Sequence, residues 1–153
     1  MSPGYFLPCL FAFAASVGFS LLLNVHGRGI LICGLGGALG WFSYLLVQLP
    51  GANVFVCSFF AAVVVSGYAE IMARVNKDPV TGYLLLSFFP LVPGAGIYRT
   101  MEYSIAGDTA RFLITGLETA GIAGCLAIGV LMVSTVVRIP SILRAGRASG
   151  DAK

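Results

Sequence analysis

Charge is what this chain has least of. Only 10% of its 153 residues are Asp, Glu, Lys or Arg, where a soluble domain carries roughly 25%. Hydrophobic residues make up 58%, and mean hydropathy is +0.96. A core of this size cannot hide so much apolar surface, so the chain reads as an all-α integral membrane protein whose main solvent is lipid. It leaves no room for a separate soluble domain. Cysteine is scarce too. Cys9, Cys33, Cys57 and Cys125 lie in apolar segments with no CxxC and no Cys/His cluster, and they read as small buried hydrophobes. The start carries no basic n-region, so the first apolar segment is expected to stay in the mature protein. No nucleophile–base pair, metal-ligand spacing or phosphate loop is present. Gly34-Leu35-Gly36-Gly37 lacks the strand that a dinucleotide fingerprint needs. The residues therefore predict no enzyme, no cofactor and no metal. The net charge of +3 comes mostly from the C-terminal tail. It points to membrane orientation rather than nucleic-acid binding.

What is abundant is apolar sequence in span-sized pieces. A crossing needs about 20 apolar residues. Five segments qualify, at 5–23, 29–49, 52–72, 80–106 and 110–137, with Pro140 expected to end the last. Together 1–140 form one transmembrane domain, and 141–153 form a basic cytoplasmic tail. Five crossings put the termini on opposite sides. Arg28, Arg74, Lys77, Arg138, Arg144, Arg147 and Lys153 then share one side, and of the nine basic residues only Arg99 and Arg111 fall on the other. That bias predicts the N-terminus outside and the C-terminus in the cytoplasm. Small residues four apart predict close helix contacts: Gly36 and Gly40, then Ser58, Ala62 and Ser66, then Gly116, Ala120 and Gly124. Trp41, Tyr44, Tyr68, Tyr83 and Tyr103 read as interfacial anchors.

The fourth segment is anomalous. Pro90, Pro93, Gly94 and Gly96 fall within seven residues, which a regular helix cannot accommodate. In lipid, a broken backbone survives only where protein or a water-filled cavity satisfies its polar groups. Arg99 and Glu102 follow at once. A broken helix flanked by ionisable groups marks a candidate transport site. Its half-helix would begin at Gly94, Ala95 and Gly96, whose amides suit an anionic group. Arg99 either clamps a substrate carboxylate or pairs locally with Glu102. Glu118 lies about 15 Å into the fifth helix, near the middle of a roughly 30 Å core. It is either a proton-coupling or ammonium-binding group or a satisfied polar contact, to Thr115 or Arg99. The helix ends add further polar candidates. Asn24 caps the first span or lines a pore. Glu70 and Arg74 form a helix-end pair. Asp108 caps the fifth helix, and His26 reads as a loop residue.

Three blocks then carry a family resemblance. They are Gly18-Phe19-Ser20-Leu21-Leu22-Leu23-Asn24-Val25 with Arg28 after it, Gly34-Leu35-Gly36-Gly37-Ala38-Leu39-Gly40-Trp41, and Phe89-Pro90-Leu91-Val92-Pro93-Gly94-Ala95-Gly96-Ile97-Tyr98. In order and spacing the chain resembles the small membrane subunit of the two-component threonine/serine exporter family, which also includes a bacterial succinate exporter. The resemblance implies a multi-pass protein of the bacterial cytoplasmic (inner) membrane. It implies a larger membrane subunit as partner and threonine, serine or a succinate-type dicarboxylate as substrate, driven by the proton motive force. Of the family's block, Pro90, Pro93, Gly94, Gly96 and Tyr98 carry over. The expectation is a secondary-transport subunit that exports small carboxylates, in a homo- or hetero-oligomer within the lipid bilayer. The alternatives are a non-transporting subunit that stabilises a larger partner and an oligomeric channel.

Overall fold

The computed structural model describes the backbone of residues 6–150 and, beyond Val137, only the side chain of Ile139. Among the described residues there are six α-helices and no strand. They are α1 (Leu7–Leu22), α2 (Arg28–Gln48), α3 (Val54–Asn76), α4 (Val80–Phe88), α5 (Gly94–Ile105) and α6 (Thr109–Gly150). A single 3-10 turn, Phe89–Leu91, separates α4 from α5. Helices α2, α3 and the Thr109–Val137 part of α6 are each long and apolar enough to cross a membrane. The α4–α5 pair passes the same test together, with a bend of 57°. Helix α1 is apolar but has only 16 residues, and its expected start at Tyr5 lies outside the described residues.

The helix ends are written in the local sequence. Asn24 adopts φ 58°, with Val25 N–H bonding Ser20 O at 2.9 Å and Asn24 N–H bonding Leu21 O at 3.1 Å. That left-handed residue closes α1 by satisfying its last carbonyls, so Asn24 is an ending device. Lys77 at φ 60° ends α3 in the same way, with Asp78 N–H on Ala73 O at 3.1 Å. At the start of α6, Asp108 Oδ1 accepts the Arg111 amide at 3.1 Å. This is the cap expected of it.

Contacts at glycine fix the directions of the helices. Gly34 of α2 meets Phe13 and Val17, and Gly37 meets Ala12 and Ser16, so α1 and α2 are antiparallel. Gly36 meets Tyr68 and Gly40 meets Val65, so α3 is also antiparallel to α2. Gly29 approaches Tyr83, Gly36 meets Ser87 and Gly40 meets Leu91, so α4 runs parallel to α2. Gly121 meets Phe55 and Gly129 meets Ala62, so α6 runs parallel to α3. The turns after α1 and α3 therefore share one end of the bundle with Arg28, Arg74 and Lys77. Arg99 and Arg111 lie towards the other end. The α4–α5 pair carries the chain onward to the start of α6, as a broken crossing does.

Two buried clusters hold the helices. One joins Cys33, Ala69, Ala73, Tyr83 and Leu86. The other joins Ala61, Ala62, Val65, Leu91 and Leu126. Tyr68 and Tyr83 are interior rather than interfacial. The Tyr68 hydroxyl donates to Ile32 O at 2.9 Å, and Tyr83 is buried. The α6 contacts also differ from the expected stripe. Gly124 faces open space, and Gly121 and Gly129 meet α3 instead. The turn at Pro140 corrects a further expectation, because helical backbone continues to Gly150. A proline costs a membrane helix one internal bond, which neighbours and local adjustment offset.

Two substitutions separate packing from hydrogen bonding. A Cβ on Gly36 would overlap the Ser87 side chain. Gly36→Ala is expected to destabilise the protein by about 1–3 kcal/mol, with partial recovery in the Gly36→Ala/Ser87→Gly double variant. Tyr68→Phe is expected to cost only about 0.6 kcal/mol, as interhelical bonds in membranes do. Reversible unfolding in detergent checks both.

Candidate functional site

The break is set by the prolines. Pro90 occupies the first turn of the 3-10 segment, where its missing donor does no harm. Val92, the residue before Pro93, is extended at φ −63° and ψ 129°, as the following ring requires. Pro93 at φ −75° and ψ 58° forms an inverse γ-turn, and Gly94 N–H bonds Val92 O at 2.7 Å. Helix α5 then starts without a side-chain cap. Among the described residues the amides of Ala95 and Gly96 bond nothing beyond it. Leu91 packs beside Gly40 and Val65, midway along α2 and α3. The 3-10 turn thus reaches the middle of the bundle, and α5 begins beyond it, where Gly96 meets Thr119 two residues before the Gly121–Phe55 contact at the start of α3.

Two reciprocal contacts then lock α5 to α6. Gly96 accommodates the Thr119 side chain, and Gly116 accommodates the Thr100 methyl at 3.3 Å. Each threonine hydroxyl bonds back to its own helix, Thr100 to Gly96 O at 2.8 Å and Thr119 to Thr115 O at 2.7 Å. The Thr100 methyl is left to pack on Gly116, and the whole head of the Thr119 side chain lies against Gly96. A groove of about 350 Å³ runs along this seam, lined by Pro93, Ile97, Met101 and Ala120 among others, with almost no polar surface.

The sequence-predicted residues divide around that seam. Pro93 lines the groove, and Gly96 packs against Thr119 in the same seam. Pro90 lines a separate cavity of about 400 Å³ with Pro8, Phe11 and Trp41. Gly94, Tyr98, Arg99, Glu102 and Glu118 are exposed. Arg99 and Glu102 form no ion pair, and Glu118 touches neither Arg99 nor Thr115 through a hydrogen bond or ion pair. Glu118 is also shallower than expected. Its neighbour Gly121 lies against Phe55, so the carboxylate stands level with the first turn of α3. Counting from Asp108 overestimated its depth, because α6 begins well beyond α3. Glu70 and Arg74 do pair, at 3.9 Å. Asp108 and Arg111 pair at 3.3 Å, with the guanidinium 5.8 Å from the centre of the Tyr103 ring.

Sequence reading missed several polar groups. Ser16 Oγ, Ser66 Oγ and Trp41 Nε1 are buried without a hydrogen-bond partner among the described residues. At the end opposite the α5–α6 connection, His26, Cys33, Asp78 and Tyr83 surround a cavity of about 190 Å³. The signal was two turns, Asn24-Val25-His26-Gly27 and Asn76-Lys77-Asp78-Pro79, which five crossings place on one side. Among the described residues, no group of three His, Cys, Asp or Glu could hold a metal ion.

No solved structure matches the chain. A family model described as "Threonine/Serine exporter, ThrE" matches residues 8–136. That range takes in the two glycine-rich blocks, the double-proline break and α6 up to Val136. A helical membrane bundle with a discontinuous helix suits a transport family rather than an enzyme family. The chain belongs to the threonine/serine exporter family, and its role is in transport.

Proposed function

We propose that this chain is one subunit of a proton-coupled secondary transporter that exports small carboxylates from the bacterial cytoplasm. Threonine and serine are the first substrates to consider, with a succinate-type dicarboxylate as the alternative. The observation that carries this reading is the break. An uncapped half-helix begins just past a break that reaches the middle of the bundle, and Arg99, Glu102 and Glu118 have no ion-pair partner among the described residues, on the exposed side of the same hairpin. Uncompensated groups of this kind are costly in lipid. They become economical when a second chain covers them and completes a polar path. A larger membrane subunit of the same family is the proposed cover. The N-terminus lies outside and the C-terminus in the cytoplasm, by the distribution of basic residues. In the assembled site the α5 amides and Arg99 hold the substrate carboxylate, with Tyr98 and Glu102 at its edge. Glu118 carries the coupling proton or contacts the ammonium.

Uptake into proteoliposomes, for this chain with and without its partner, tests the reading. Threonine, serine or succinate flux is expected only with the partner and is expected to rise with a pH gradient. Arg99→Ala is expected to raise KM by at least tenfold, from loss of a charge-assisted contact of about 1.5–3 kcal/mol. Glu118→Gln is expected to abolish the gradient dependence and leave downhill flux. Unchanged KM in Arg99→Ala removes the clamp. If both variants transport normally while Gly94→Leu reduces assembly, the subunit only stabilises its partner. Flux indifferent to the gradient in the wild-type complex identifies a channel.

A further inference from the structure

The polar side chains that do converge within this chain lie at the other end of the bundle. The turn between α1 and α2 and the turn between α3 and α4 meet over the 190 Å³ cavity. Val25, Pro79 and Leu86 give it apolar walls, and Asp78, Tyr83 and His26 give it polar ones. The Tyr83 hydroxyl donates to Asp78 Oδ2 at 2.7 Å, which fixes the carboxylate against one wall. Asp78 has no cationic partner among the described residues, where the ion pairs are Glu70–Arg74 and Asp108–Arg111. An exposed carboxylate, held by Tyr83 but without an ionic partner among the described residues, therefore borders an open space large enough for a few heavy atoms. The opposite charge is also provided for. Helices α2 and α4 run parallel, so both begin here, and Gly29 and Gly82 from their first turns line the cavity. Neither helix start has a side-chain cap. Their free amides and dipole ends favour an anionic group.

We infer that this cavity binds a small α-amino acid as its zwitterion, with the ammonium on Asp78 and the carboxylate at the starts of α2 and α4. The inference rests on the transport reading for its probes, and it sharpens the substrate class. A dicarboxylate would bring a second negative charge against Asp78, so the cavity selects threonine and serine over succinate. Glycine at 29 and 82 has a function beyond close packing, since any larger side chain at 82 would occupy the ligand's volume. A Cβ there meets nothing within 4 Å, so filling the cavity leaves the fold intact.

Calorimetric titration of the full chain in nanodiscs tests this with L-threonine, L-serine and succinate. Saturable threonine and serine binding is expected, with none for succinate. Asp78→Asn keeps an acceptor for Tyr83 and removes the charge, so threonine affinity is expected to fall at least tenfold. Gly82→Val is expected to abolish binding with an unchanged melting temperature. Wild-type affinity in either Asp78→Asn or Gly82→Val overturns the inference, as does succinate competing with threonine, or no threonine binding to the wild type. Transport by the assembled complex separates the two readings. Threonine flux that persists unchanged in Asp78→Asn removes this cavity and leaves the transporter standing. Absence of any flux in the wild-type complex removes the transporter, and the titration still decides the cavity.

Discussion

Everything in this fold depends on how closely α2 lets its neighbours approach. Helices in lipid gain no hydrophobic drive from meeting each other, so backbone proximity and van der Waals contact have to hold them. Helix α2 supplies that proximity on several sides at once. Gly34 and Gly37 receive α1, Gly36 receives Ser87 of α4 and Tyr68 of α3, and Gly40 receives Val65 and Leu91. The last of these contacts matters most for function. It seats the residue just before the helix break against the centre of the bundle, so the break is held at a fixed depth by packing on one side. Its own backbone bonds could not do this, because two prolines have removed the donors.

Much of the architecture was legible because membrane sequence is strongly constrained. Span lengths follow from the bilayer, and turns follow from Asn24, Lys77 and Asp108. The double-proline block could only be a break. The departures share a cause. Residue spacing along one helix says nothing about how far that helix is shifted against its neighbours. Glu118 was placed at mid-membrane by counting from its own helix start, and the Phe55–Gly121 contact shows the offset. Arg99 and Glu102 share a helical face, but that spacing permits an ion pair without forming one. Tyr68 and Tyr83 sit near helix ends in sequence, but the Tyr68 hydroxyl reaches the Ile32 carbonyl of α2, and the buried Tyr83 ring sends its hydroxyl to the exposed Asp78 in the turn before α4. The Asp78 cavity was invisible for the same reason. Its residues come from two turns and two helices, and only the parallel pairing of α2 with α4 unites them.

That parallel pairing also relates the two polar regions. Helix α4 begins at the Asp78 cavity and ends at the break, with Ser87 and Cys33 between them along the α2 contact. The helix is only nine residues long, about 13 Å at 1.5 Å per residue. One short element therefore separates the bundle's polar end from its discontinuity, with no side-chain cap at its start and a 3-10 turn at its end.

The α5–α6 seam has a mechanical consequence. Reciprocal glycine–threonine contacts make α5 and the opening turns of α6 a single stiff paddle, joined to the bundle through Val92 and Pro93 on one strand of the connection. The other attachment is continuous helix, running straight from the paddle into the part of α6 that lies on α3. A flex of the 57° joint cannot stay local, because the same helix must pivot where Gly121 bears on Phe55. The joint and the α3–α6 contact are thus two points on one rigid connection, so a change of angle at Val92 and Pro93 would be felt where α6 lies on α3, far from the prolines that permit it.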